Sequence, residues 1–99
     1  MTLIRSNKLP VKHAGIIFNE RILIAHKITQ TDAAKFLHMS RKQVSLFANG
    51  KTSVSVSLSK KLEAATGISA GFWLNIQKAY DLYETRNEIV EAEPMYAFG

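Results

Sequence analysis

The chain has 99 residues, 46% of them hydrophobic, which is one domain's length with material for one modest core. It has no cysteine, so disulfides and thiolate metal sites are excluded, and no apolar run approaches the roughly 18 residues a membrane span needs. The net charge of +5 is unevenly spread. Residues 1–61 hold eleven Lys/Arg and two acids, a net of +9, while residues 62–99 hold two Lys/Arg and six acids, a net of −4. The first part suits a polyanion and the second does not.

Residues 1–12 read as an irregular arm ending near Leu9-Pro10. The arm has basic residues but no apolar core or cleavage site of a signal peptide, so a cytoplasmic protein is expected. A helix is predicted from about Ala14 to His26, with Ile17, Phe18, Ile22 and Leu23 on one side. Thr29 is placed to cap a second helix from about Gln30 to Leu37, whose inner face is Ala33, Ala34 and Leu37. The turn follows at His38-Met39. Such a turn often needs positive φ, and His38 is its expected occupant.

Ser40 opens a third helix with Val44 and Phe47 inward, and Gly50 ends it. The alternation of Ser53 to Ser59 could pass for a strand. It is read instead as a loop into a fourth helix capped by Ser55, with Leu58, Leu62 and Ala65 at helical spacing and Gly67 as its stop. Ser69 caps a fifth helix from about Ala70 to Arg86. Asn87 to Gly99 is an acidic tail without period, expected to be flexible. The fold class is therefore all-α with five helices, and its second and third helices resemble the helix-turn-helix of a lambda-repressor-like DNA-binding domain. The domain proper is residues 13–86, including a C-terminal dimerisation helix.

The stretch Thr29 to Lys51 carries the functional signal. A recognition helix needs a rigid, capped first turn, an apolar inner face and outward side chains that reach base edges. Arg41 and Lys42 can donate to guanine, Gln43 can pair with adenine, and Ser45 and Leu46 lie one turn later, with Leu46 suited to a thymine methyl. Gln30, Ser40, Asn49, Lys51 and Thr52 are the phosphate candidates, with weaker contacts from Ser53 and Ser55. The bland alternative is a solvated face of a small bundle, but this capped order of polar residues rarely arises by accident.

The fifth helix has more apolar surface than one buried stripe requires. Phe72, Ile76, Ala79 and Tyr83 form one row; Trp73, Gln77 and Tyr80 form another. The second row is assigned to a dimer interface, so that two recognition helices can read successive major grooves. His13, His26 and His38 lie on different elements, which gives no metal-ligand spacing. No nucleophile elbow, Ser-His-Asp arrangement or phosphate-binding Gly loop is present. No cofactor and no catalytic site are expected.

Three blocks resemble the HigA-type antitoxins, within the Cro/repressor-like helix-turn-helix class. His13-Ala14-Gly15 stands where the family usually has His-Pro-Gly-Glu. Met39-Ser40-Arg41 through Asn49-Gly50-Lys51 is the reading unit. Gly67 to Tyr83, GISAGFWLNIQKAYDLY, resembles the family's G-x-S-x-x-F-W-L-N-L-Q-x-x-Y-D-L block and is the most specific of the three. The likeness covers roughly seven tenths of the chain. It implies an operon partner, a HigB-type ribonuclease toxin of the RelE-like fold, which the antitoxin neutralises. It also implies a homodimer that represses its own operon at a palindromic operator in double-stranded DNA.

The chain departs from that pattern in several places. Ala14 replaces proline, Ile16 and Ile24 stand where acids are common, His38 replaces the turn glycine, and Lys60 replaces an apolar residue. Two toxin surfaces stay open: the arm with the first helix, and the tail with Glu88, Glu91 and Glu93. Competing readings are a free-standing repressor, a nonspecific architectural DNA binder, and a small ribonuclease. The last would need strands and a basic catalytic cluster that the sequence lacks.

Overall fold

A computed structural model describes residues 11–97, so most of the predicted N-terminal arm lies outside the described residues. Within them the chain is all helical: α1 (Ala14–Phe18), extended by a π-helical turn (Asn19–Ile24), then α2 (Gln30–Leu37), α3 (Arg41–Ala48), α4 (Val56–Thr66) and α5 (Ala70–Glu84). No helix there is long and apolar enough to cross a membrane.

Hydroxyl caps set the starts of four helices. Thr29, Ser40, Ser55 and Ser69 each accept a hydrogen bond from the backbone N–H three residues on, at 3.0 to 3.1 Å. Each satisfies a donor that the first turn would otherwise leave unpaired. Two of the stops, those of α2 and α4, are left-handed residues. Gly67 has φ +78°, and His38, the turn residue, has φ +54°. A second non-glycine residue, Lys27 at φ +56°, was not foreseen. It closes the turn that follows the π-helical segment, with the Ile28 N–H donating back to the Leu23 carbonyl at 2.8 Å.

The first helix is therefore shorter than its predicted span and changes winding midway. The wider turn brings Phe18 and Leu23, five residues apart, into the same core. Ile17 and Ile22, on the predicted face, are only half-buried, and Ile24 stays exposed. Ala33, Ala34 and Leu37 of α2 and Val44, Phe47 and Ala48 of α3 join this core. Leu58 and Leu62 of α4 close it from below, whereas Ala65 is exposed.

On α5 Trp73 and Gln77 of the second row turn into the core, while Ile76 of the first row packs half-buried against it. Trp73 is 0% exposed and Gln77 3%, so neither can meet a second subunit. The reason is volume. The Trp73 ring lies 6.1 Å from Phe18 and fills the gap between α1 and α5, a job no smaller side chain of the row could do. Tyr80 is half-buried, its ring 5.2 Å from His13. Phe72, Ala79, Leu82 and Tyr83 are the exposed residues instead. Burial of the Trp73 row carries a cost, because the Trp73 indole N–H and the Gln77 carbonyl oxygen are buried without a hydrogen-bond partner among the described residues. Residues 88–97 form neither helix nor strand and are exposed.

Two elements approach closely at Gly15. A Cβ there would overlap the Phe47 carbonyl oxygen, so α1 sits against the end of α3 with no room for a side chain. Gly71, in the first turn of α5, faces open space. Gly15→Ala is expected to lower unfolding stability by about 3 kcal/mol or more, at or above the upper end for overpacking. Gly71→Ala should be neutral or stabilise by up to about 1 kcal/mol. Urea denaturation of the two variants checks both signs.

Candidate nucleic-acid interface

The helix-turn-helix is built by α2, the His38-Met39-Ser40 turn and α3. The left-handed His38 lets the Met39 N–H donate to the Ala34 carbonyl at 3.0 Å, which reverses the chain within three residues. Lys61 of α4 fastens this turn from outside the motif, its Nζ donating to the His38 carbonyl at 3.2 Å. That brace was not read from the sequence, where only the neighbouring Lys60 drew notice. Lys60 is exposed and leaves the register of α4 intact.

At the start of α3 the cap is reciprocal. The Ser40 hydroxyl accepts from the Gln43 N–H at 3.1 Å, and the Gln43 side-chain carbonyl accepts from the Ser40 N–H at 2.9 Å. Gln43 is exposed, and its side-chain oxygen is oriented by the cap. Arg41 and Lys42 are exposed on the same rigid turn and form no ion pair among the described residues. Leu46, 36% exposed, and the half-buried Ser45 lie one turn further along. Val44 and Phe47 face the core as predicted.

The phosphate candidates flank this helix. Gln30 is half-buried at the start of α2, and Lys51 and Thr52 are exposed just past α3. Asn49 is exposed but folds back along its own helix, its amide nitrogen donating to the Ser45 carbonyl at 2.8 Å and lying 3.2 Å from the Ser45 hydroxyl. Gly50, at φ +75°, then redirects the chain toward Lys51. Among the described residues no group of three or more His, Asp or Glu could hold a metal.

Sequence reasoning missed the residue behind this loop. His13 is 5% exposed and caps α1, its Nδ1 accepting from the Gly15 N–H at 2.8 Å. Its ring meets Phe47 of α3 and Tyr80 of α5 edge-on. Burial pushes its pKa below the ordinary histidine value, partly offset by the Asp81 carboxylate and by a hydrogen bond with the Thr52 backbone. A histidine neutral in the folded state titrates more readily when unfolded. Its stabilisation is thus complete above about pH 6.5 and lost as pH falls below that through the folded value. Thermal unfolding between pH 7.5 and 5 should show a falling midpoint, and His13→Asn should flatten the drop.

Comparison with known proteins follows the same outline. The helix-turn-helix family pattern matches residues 20–73. The chain is 41% identical to Antitoxin HigA-1 of Vibrio cholerae over 87 residues, covering 88% of this chain and 81% of that protein. An addiction module antidote protein of a HigA family from Coxiella burnetii superposes with a TM-score of 0.70 at 26% identity, over 85% of this chain and all of its own. The Pseudomonas aeruginosa antitoxin HigA, solved with the higBA promoter, shares the fold with a TM-score of 0.73 at 24% identity, over 88% of this chain and 100% of its own.

Proposed function

The chain belongs to the HigA antitoxins within the helix-turn-helix class, a family of DNA-binding proteins and not of enzymes, and from that premise we propose that it represses its own operon as a homodimer and neutralises a HigB-type ribonuclease toxin. The observation that carries the DNA part is the first turn of α3: Arg41 and Lys42, exposed cations without an ion pair among the described residues, held on a reciprocally capped helix start. The promoter bound to the Pseudomonas aeruginosa HigA, whose fold this chain shares, supports the same reading.

In this reading Arg41 and Lys42 read guanine, and Leu46 packs on a thymine methyl, with Ser45 beside it. Gln43 keeps the cap closed, its side-chain oxygen held on the Ser40 N–H, and presents its amide N–H groups to the base edge. Gln30, Ser40, Lys51 and Thr52 hold phosphates. Asn49 joins them only by releasing Ser45. The exposed Phe72, Ala79, Leu82 and Tyr83 of α5, in place of Trp73 and Gln77, form the dimer face. Such a dimer sets two copies of α3 about 34 Å apart on a palindromic operator. The protein acts in the cytoplasm, beside its own promoter and the toxin. Exposed Glu88, Glu91 and Glu93 of the tail complement a basic ribonuclease.

Arg41→Ala should cost about 1–3 kcal/mol at the operator and relax one base pair, with little change on random DNA. Lys51→Ala should weaken binding to every sequence and lower the salt slope by about one. Gln43→Ala should cost about 0.5–1 kcal/mol of folding stability. Anisotropy titrations on operator and random duplexes, with urea melts of the same variants, separate the three. Co-expression with the adjacent gene tests the antitoxin role. A stable complex that silences a ribonuclease supports it; none, with operator binding intact, leaves a free-standing repressor.

A further inference from the structure

We propose that the acidic tail of each copy seats in an apolar groove of a second copy, so that two exchanged tails hold the dimer together as well as α5. The groove runs between the π-helical turn and α2 on one side and the C-terminal half of α4 on the other. Its central cavity, about 230 Å³, is lined by Phe18, Ile22, Ile28, Phe36 and Ala65 among others. It opens past Phe36 to His38 and Lys61 at one end, and past Ile28 to His26 at the other. No Asp or Glu lines it among the described residues. Phe36 stands 69% exposed at its rim, the largest side chain of α2 left in water. Such a surface selects an apolar segment that bears carboxylates.

The chain carries such a segment. Residues 88–97 hold Glu88, Glu91 and Glu93 and no Lys or Arg, interleaved with Ile89, Val90 and Met95, which are 87%, 75% and 94% exposed. A chain's own groove is out of reach of Ile89 and Val90. α5 starts beside the groove, where the Ala70 N–H donates to Glu63 of α4 at 2.7 Å and Trp73 meets the groove residue Phe18. It ends past Tyr80, which meets His13 at the opposite end of α1. Its 15 residues span about 22 Å. A turn follows, the Glu88 N–H donating to the Thr85 carbonyl at 2.9 Å, and keeps Ile89 and Val90 at that far end. In the dimer, antiparallel pairing of the exposed α5 stripe sets Phe72 of one copy against the partner's Tyr83. The end of one α5 then lies beside the start of the other, and each tail emerges next to the partner's groove. A ribonuclease that takes up the tail's carboxylates competes with this seat.

The proposal rests on the homodimer reading, and sedimentation equilibrium on full-length chains tests both. The variants are Ile89→Asp with Val90→Asp in the tail, Phe36→Glu at the groove rim, and the two combined, with helix content checked for each. All three positions are exposed, and the tail pair lies outside every helix, so the tail variant keeps the fold. The tail variant and the rim variant are each expected to weaken the dimer about 10- to 100-fold. The combined variant is expected to lose little more than the worse of the two, because both break one contact. The chain has no cysteine, so a second readout is clean. A tagged Val90→Cys chain mixed with an Ala65→Cys chain should give a covalent dimer of the two on mild oxidation, and a Ser57→Cys chain, at the other end of α4, should not. A tail variant that dimerises like the parent, losses that multiply, or equal cross-linking to both α4 positions would overturn the proposal while leaving the α5 dimer in place. A parent chain that is monomeric throughout would overturn the dimer reading and the proposal with it.

Discussion

The contact on which the rest of this molecule depends is the seat of α1 against the end of α3. At Gly15 the backbone of α1 meets the Phe47 carbonyl with no space for a Cβ, and His13 wedges in beside it. This contact fixes the angle at which α3 leaves the core. Phe47, packed against Phe18 at 5.5 Å, carries that angle into the aromatic centre, where Trp73 anchors α5. The placement of the exposed turn of α3 is thus a consequence of a glycine and a histidine two helices earlier in the chain.

Much of the architecture was legible because the caps are local. A hydroxyl before an apolar run satisfies its own backbone three residues on, so Thr29, Ser40, Ser55 and Ser69 announce their helices without tertiary help. The same logic located His38 as the left-handed turn residue. What failed depended on packing between distant segments. Both rows of α5 are apolar enough to be core, and periodicity cannot choose between them. Trp73 decides it through its volume, which has a place only against α1. Phe18 and Leu23 are five residues apart and share a face only because the winding widens, which no α-helical period foretells. Lys27 at positive φ had no sequence signal, since lysine is not a residue that favours it.

At the candidate site the sequence names polar residues but does not show which of them are free. Gln43 and Asn49 are polar, exposed and in the right place, yet each has bonded to its own helix. A sequence lists donors and acceptors; only coordinates tell which are already used. The proposed reading face is accordingly leaner, two cations and one apolar side chain, beside a reciprocal cap and a brace from Lys61. The antitoxin block at the start of α5 was the most specific resemblance, and its conspicuous tryptophan turned out to be core. Family likeness locates such a residue but does not tell what it does.

The account's central claim is that α3 reads DNA as one of a symmetric pair. Methylation interference on the DNA upstream of the chain's own gene tests it most directly, because guanine N7 faces the major groove. The account predicts two short clusters of interfering guanines on one face of the duplex, related by a dyad and centred about one helical turn, or a whole number of turns, apart. Interference spread evenly along the duplex, or confined to one cluster without a dyad, would contradict it.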